Sequence, residues 1–124
     1  MNRRLLVVDD QNSITKIVSK IGSQLGYEAR ALNDPSRAFE EFEEFRPDVL
    51  VIDLVMPEID GIDILHKILA MGTDARIVVM SGFGKGYLRL GQDVGAFHDH
   101  PGITTLAKPF RRAELVALLA HEMT

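Results

Sequence analysis

Cysteine and tryptophan are absent from this 124-residue chain, and the other aromatic residues are limited to six Phe and two Tyr. Without cysteine no disulfide framework can form, so the composition gives no sign of an oxidising compartment and fits a cytoplasmic protein. Hydrophobic residues make up 46% of the chain, which is enough to fill the core of a single domain of this length. That core must consist mainly of aliphatic side chains.

Long hydrophobic runs and an excess of positive charge are also missing. The apolar stretch LLVV at 5–8 ends at Asp9, so it is too short for a signal-peptide core, and no run approaches the ~18 residues of a membrane span. The formal net charge is −4, and no basic run is longer than the pairs at 3–4 and 111–112. Because a nucleic-acid backbone prefers a basic patch, we expect no direct nucleic-acid binding and no membrane insertion.

Strand-like apolar runs alternate with segments of helical periodicity along the whole chain. The pattern predicts strands at 5–8, 27–32, 48–53, 75–81 and 103–107 and helices at 14–25, 35–45, 62–71, 85–97 and 113–122. Continuous Val, Ile and Leu runs are typical of strands that are covered on both faces, and their alternation with helices favours a parallel sheet. Right-handed crossovers then predict one doubly wound α/β domain.

The segment 82–102 is the least regular part of this pattern. Its predicted helix contains Gly91 and Gly95, each of which costs ~1 kcal/mol relative to Ala in a helix interior. We therefore expect the fourth helix to be the most loosely held.

Polar side chains follow four of the predicted strands. Asp9 and Asp10 follow the first strand, Asp53 ends the third, and Ser81 and Lys108 end the fourth and fifth. Ligands of open parallel sheets bind outside the carboxyl ends of the strands, so we expect these side chains to share one crevice.

The acidic residues of this crevice predict a site for a small divalent cation. Crowded carboxylates repel one another, so at least one pKa should rise. Mg²⁺ would remove this penalty, since it prefers oxygen ligands and is commonly held by one or two carboxylates. A nearby Lys108 ammonium and Ser81 hydroxyl would complete a site for phosphoryl transfer onto a carboxylate.

The order and placement of these motifs resemble the receiver domain of two-component response regulators, over essentially the whole chain. The matching motifs are Asp9-Asp10, Asp53 with the following LVMPEIDG, Ser81-Gly82, and KPF at 108–110. The resemblance implies one receiver domain over residues 1–124, with a flavodoxin-like five-stranded sheet in the order 2-1-3-4-5 and about five helices on its two faces.

The resemblance also implies a phosphorylation site at Asp53. This residue would attack the phosphorus of a phosphohistidine on a sensor histidine kinase or phosphotransfer protein and become an aspartyl phosphate. Asp10, Asp53 and the backbone carbonyl of Val55 would ligate Mg²⁺, and Asp9 would act through water.

Four further residues take their expected roles from the same resemblance. Lys108 would pair with the phosphoryl oxygens, and the Ser81 hydroxyl would move in to donate a hydrogen bond to them. Gly82 would leave room for the phosphoryl group. Pro109 would form a cis peptide bond with Lys108 that aims the ammonium group.

One position departs from the family pattern. Signalling members usually carry an aromatic residue three positions before the lysine, where this chain has Thr105. Phosphorylation is therefore expected to change helix four and the loop around it, and a downstream protein target to bind the face formed by helix four, strand five and helix five.

The residues also bear on three other functions. An aspartyl phosphatase would carry a second acid two positions after the nucleophile, where this chain has Val55. A flavodoxin-like cofactor binder would not place two acids in its phosphate loop. A receiver-like interaction module without phosphorylation remains an alternative. The favoured function is a switch that catalyses only its own phosphorylation and dephosphorylation.

The four histidines are interpreted as residues without a specific role. His98 and His100 flank Asp99 beside Pro101-Gly102, which favours a surface turn over a metal-binding pair. His66 and His121 are expected on helices, at the surface or its boundary.

Overall fold

A computed structural model describes residues 3–121, with side chains described up to residue 120. Strands and helices alternate throughout this range. They are β1 (Arg4–Val8), α1 (Asn12–Gln24), β2 (Glu28–Leu32), α2 (Ala38–Phe45) after a 3-10 turn at Pro35–Arg37, β3 (Val49–Asp53), α3 (Gly61–Ala70), β4 (Arg76–Ser81), α4 (Lys85–Phe97), β5 (Ile103–Ala107) and α5 (Arg112–His121). Every predicted element is present near its predicted bounds, and the predicted end of the last helix at Glu122 lies outside the described residues.

The sheet is parallel and has the strand order β2-β1-β3-β4-β5, which confirms the predicted doubly wound topology. Two hydrophobic clusters lie on its two faces. Leu6 and Val8 of β1 belong to the cluster that includes α2, α3 and α4, whereas Leu5 and Val7 belong to the cluster with α1 and α5. Successive strand residues point to opposite faces, so the unbroken apolar run of β1 fills both clusters.

The parallel register places the carboxyl ends of the central strands along one edge. Val8 pairs with Ile52, Asp53 with Met80, and Ser81 with Ala107. The loops that leave β1, β3, β4 and β5 therefore start side by side, and the polar residues at 9–11 and at Lys108 follow directly.

The glycines of α4 allow this helix to lie close to the sheet. A Cβ atom added at Gly95 would overlap the Ile103 side chain, and one at Gly91 would lie 3.1 Å from both Leu54 Cδ1 and Val79 Cγ2. The absence of side chains offsets part of the low helix propensity of glycine, because it permits contacts that alanine would block. Helix propensity alone predicts only a cost for both residues.

The described helices reach at most 13 residues. None of them is long and apolar enough to cross a membrane.

Candidate functional site

An acidic cluster lies at the carboxyl edge of the sheet. Asp9 and Asp10 follow β1, and Asp53 is the last residue of β3. One carboxylate oxygen from each of the three residues lies within 4.8 Å of the others. Asp9 and Asp53 are buried, whereas Asp10 is exposed to solvent.

Lys108 joins two members of the acidic cluster. Its Nζ donates hydrogen bonds to Asp9 Oδ2 at 2.9 Å and to Asp53 Oδ2 at 3.1 Å. A third bond reaches Gln11 Oε1 at 3.2 Å. The Lys108 side chain is only 12% exposed, so the ammonium forms charge-assisted bonds that water screens weakly. It offsets the charge of the two buried carboxylates.

Backbone amides hold the remaining oxygens of the buried carboxylates. The Gln11 amide donates to Asp9 Oδ1 at 2.9 Å, and the Val55 amide donates to Asp53 Oδ1 at 3.2 Å. Each carboxylate is thus fixed between an amide and the Lys108 ammonium. Both carboxylates are therefore held in place before a ligand enters, so the site is preorganised to interact with a charged group.

Burial and mutual repulsion shift the protonation of the cluster. Burial raises the pKa of Asp53, and the negative charge of Asp9 adds to this effect, while the Val55 amide and Lys108 oppose it. Asp10 is mostly exposed, but its partial desolvation raises its pKa, together with its hydrogen bond to Asp9 and the negative charge of Asp9. The predicted rise is confirmed, with burial as its largest cause.

The pKa of Lys108 shifts in the direction that keeps the ammonium charged. Burial lowers this pKa, but the hydrogen bonds to Asp9 and Asp53 and the charges of both carboxylates outweigh that effect and raise it. Lys108 therefore stays protonated over the physiological range.

A cleft of about 730 Å³ opens in front of the cluster. Asp10, Asp53 and Lys108 supply charged groups to its wall, and the remaining lining residues are Gln11, Ile14, Val55, Met56, Pro57, Gly82, Phe83 and Pro109. The opening connects Asp53 to solvent.

Ser81 and Thr105 are expected site residues that do not line the cleft. Ser81 is buried, and its Oγ accepts a hydrogen bond of 3.0 Å from the Phe83 amide. It is not among the described residues that line the cleft. Thr105 is partly buried in β5, where it pairs with Val79.

Gly82 and Pro109 both lie at the Lys108 side of the cleft. A Cβ atom at Gly82 would touch Lys108 Cβ at 3.8 Å, which is an ordinary contact, so the protein itself does not demand glycine there. The expected role of Gly82 in making room for a phosphoryl group stays a prediction. The Lys108-Pro109 peptide bond is cis, as predicted.

The donor set of the cluster fits Mg²⁺. Asp10 and Asp53 present carboxylate oxygens to the cleft, and such hard oxygen ligands are the ones that Mg²⁺ prefers. Asp9 lies behind them against Lys108, where it faces the ammonium directly. The Val55 residue also lines the cleft.

Sequence reasoning missed two residues that shape this site. Gln11 holds both Asp9 and Lys108, and its position directly after the two acids was the available signal. Gly61 begins α3 against the end of β3, where an added Cβ atom would overlap Asp53 O and lie 2.6 Å from Leu54 Cα. The sequence reasoning placed Gly61 in a turn and gave it no role in packing.

The chain is similar to known proteins over the residues that contain this site. Residues 5–120 match the family model of the response regulator receiver domain. The chain is 29% identical over 120 residues to the chemotaxis protein CheY of Thermotoga maritima, covering 96% of each. It is 34% identical over 118 residues to the response regulator MprA of Mycobacterium ulcerans, covering 94% of this chain but only 48% of that protein. The structure of the Vibrio cholerae chemotaxis protein CheY4 has the same fold, with a TM-score of 0.83, 24% identity and 98% coverage of each chain.

Proposed function

Because the chain belongs to the response regulator receiver domain family, we propose that it is a phosphoryl-accepting signalling switch with Asp53 as the phosphorylated residue. The observation that carries this proposal is the contact of Lys108 with both Asp9 and Asp53, beside the exposed carboxylate of Asp10. We propose that residues 1–124 form one receiver domain.

The proposed reaction transfers a phosphoryl group from a phosphohistidine of a sensor histidine kinase or phosphotransfer protein. An Asp53 oxygen attacks the phosphorus, the P–N bond breaks, and its electron pair passes to the imidazole nitrogen. The product is a mixed carboxylic–phosphoric anhydride on Asp53. The Val55 amide, which donates to Asp53 Oδ1, keeps this carboxylate oriented towards the cleft.

Lys108 would change partners during this reaction. Its bond to Asp53 Oδ2 would pass to a phosphoryl oxygen, while its bond to Asp9 keeps the ammonium in place. The Ser81 hydroxyl, whose oxygen accepts a hydrogen bond from the Phe83 amide, would move in to donate its proton to another phosphoryl oxygen. Gly82 would leave room for that group, and Pro109, directly after Lys108, would aim the ammonium.

The proposed cofactor is Mg²⁺, held by Asp10, Asp53 and the Val55 backbone carbonyl, with Asp9 acting through water. When bound, Mg²⁺ neutralises negative charge on the carboxylates and on the phosphoryl oxygens. The raised pKa values of Asp10 and Asp53 mean that their ionised forms are disfavoured, and a bound cation would offset that cost.

A switch fits the residues better than a phosphatase does. The side chain two positions after Asp53 is Val55, which cannot act as a general acid or base. We propose that the chain turns over only its own aspartyl phosphate and works in the cytoplasm, without contacting nucleic acid or membrane. A receiver-like module that binds partners without phosphorylation is the alternative that the labelling experiment in the Discussion tests.

Replacing Asp10 by Asn is expected to weaken Mg²⁺ binding at least about 10-fold, since the ligand loses its negative charge. Without Mg²⁺ the same variant should melt at a higher temperature. A group whose pKa is raised in the folded state, as for Asp10, stabilises the fold at pH values below its unfolded-state pKa. This stabilisation is lost as the pH rises through the folded-state pKa. At neutral pH the ionised Asp10 thus destabilises the fold, and Asn removes that charge.

Melting curves with and without Mg²⁺ measure both effects of the Asp10→Asn change. Asp74→Asn is the matched control, since Asp74 is an exposed acid outside the cluster. Unchanged Mg²⁺ affinity in the Asp10→Asn variant would contradict the assignment of Asp10 as a ligand.

Replacing Lys108 by Ala is expected to leave Mg²⁺ binding largely intact and to slow phosphorylation by acetyl phosphate about 10- to 100-fold. A charge-assisted hydrogen bond contributes about 1.5–3 kcal/mol, and each 1.36 kcal/mol changes a rate tenfold. Lys16→Ala removes an exposed ammonium from α1 and serves as the control. Equal rates in the wild type and the Lys108→Ala variant would exclude a role for this ammonium.

We propose that phosphorylation changes the face formed by α4, β5 and α5, where a downstream protein would bind. Hydrogen exchange in residues 84–102 is expected to change when beryllofluoride and Mg²⁺ are added, since beryllofluoride mimics the aspartyl phosphate and moving segments come from the least stable parts of a fold. The Asp53→Asn variant, which lacks the carboxylate, should show no change. Identical exchange with and without beryllofluoride in the wild type would rule out this segment.

A further inference from the structure

Two histidines from neighbouring helices meet away from the acidic cluster. His66 lies in α3, and His98 directly follows α4. His66 Nδ1 and His98 Nε2 are 3.0 Å apart, and both side chains are half-buried. The sequence interpretation paired His98 with His100 in a surface turn, but the structure pairs it with His66.

We propose that His66 and His98 form a binding site for a divalent transition metal such as Zn²⁺, Ni²⁺ or Cu²⁺. Metal–nitrogen bonds of about 2.0–2.1 Å at angles of about 90–109° hold two ligand nitrogens about 2.9–3.4 Å apart. The observed separation of 3.0 Å falls in this range. A bound metal would therefore require rotation of the rings and little movement of the helices.

The proton between the two rings must leave before a metal binds. In the neutral pair one ring nitrogen donates and the other accepts, because two N–H groups cannot face each other at hydrogen-bond distance. On metal binding the donating ring transfers its proton through water to its own second nitrogen. Both facing nitrogens then offer lone pairs, and neither ring changes its net charge.

The adjacent His100 is unsuited to the same site. The Gly102 amide donates to His100 Nδ1 at 3.2 Å, so Nε2 carries the ring proton of the neutral side chain and donates to Ala75 O at 2.8 Å. Both nitrogens of His100 are engaged with the backbone. His100 is therefore a matched control, similar in sequence position and different in its contacts.

The surroundings of the pair favour a metal that prefers nitrogen ligands. Phe97 packs edge-on against both rings, with centroid distances of 6.0 Å to His66 and 5.1 Å to His98. Within residues 3–121 the acidic cluster is the only place where three His, Asp or Glu side chains could reach one ion. Water would complete the coordination of a metal at His66 and His98, and Mg²⁺ would stay at the carboxylates.

A metal at this site would link α3 to α4 and stabilise the fold. The experiment records melting curves of the untagged chain in saturating Mg²⁺, with NiCl₂ or ZnCl₂ added. We expect the melting temperature to rise by about 5 °C at a metal concentration well above the dissociation constant. The rise should persist in His100→Gln and disappear in His66→Gln and in His98→Gln. A rise that survives either of the latter changes, or no rise in the wild type, overturns the proposal.

A second measurement uses only the wild-type chain, so it does not depend on whether the variants fold. Substoichiometric Cu²⁺ broadens NMR signals of amides near its binding site. We expect broadening first at residues 64–68 and 96–100. Broadening confined to 9–11 and 53–55 would place the metal at the acidic cluster and overturn the proposal.

Discussion

Replacing Asp53 by Asn is expected to abolish labelling of the chain by acetyl phosphate in the presence of Mg²⁺. Asn keeps the shape of the side chain but lacks the carboxylate oxygen that would attack phosphorus. The two other acids of the cluster are not expected to take over. Asp9 is buried against Lys108, and the hydrogen bonds of Lys108 Nζ go to Asp9, Gln11 and Asp53 rather than to Asp10. Intact-mass measurement of the covalent phosphoryl adduct gives the result directly.

Two outcomes of the labelling experiment separate the alternatives. Asp93→Asn changes an exposed acid on α4 and should be labelled like the wild type, which controls for handling and folding. Robust labelling of the Asp53→Asn variant would show that another residue is the nucleophile. Absence of labelling in the wild type, with phosphorylated kinase as well as acetyl phosphate, would favour the module that binds partners without phosphorylation.

Replacing Gly61 by Ala is expected to lower the free energy of unfolding by about 3 kcal/mol, at the upper end of the usual cost of overpacking. The added Cβ atom would lie 2.6 Å from Leu54 Cα and 2.8 Å from Leu54 C. These are backbone atoms next to Asp53, so no side-chain rotation can relieve the overlap. The start of α3 or the end of β3 must move, and urea denaturation measures the loss.

The same glycine-to-alanine change at Gly86 should instead raise the free energy of unfolding. Gly86 lies in the first turn of α4, and nothing lies within 4 Å of a Cβ atom added there. Gly86→Ala should therefore stabilise the fold by up to about 1 kcal/mol through helix propensity alone. If the Gly61 and Gly86 variants were equally stable, the proposed overlap at Gly61 would be wrong.

The topology was predictable because the apolar pattern is nearly unbroken. The runs at 5–8 in β1 and 49–52 in β3 contain no polar residue, which requires cover on both faces and hence crossover helices. The position of the acidic cluster was predictable for a related reason. Parallel strands bring their carboxyl ends to one edge, so the residues that follow β1, β3 and β5 had to be neighbours.

Contacts that depend on distances between elements were not predictable from the pattern. The sequence shows Gly95 as a weak helix residue, but only the distance to Ile103 shows that this position has no space for a side chain. The third hydrogen bond of Lys108, to Gln11, and the pairing of His66 with His98 depend on side-chain positions that periodicity does not determine.

The alternation of β1 residues between two hydrophobic clusters has a consequence for how this protein can evolve. Val7 and Val8 are covalent neighbours, yet they pack on opposite sides of the sheet. Changes of volume on one side are therefore expected to add to changes on the other without coupling, since they share no partners. Mutations that change the packing of α2, α3 and α4 can therefore accumulate while the packing of α1 and α5 is kept. The sheet thus works as a partition between two regions that natural selection can modify separately.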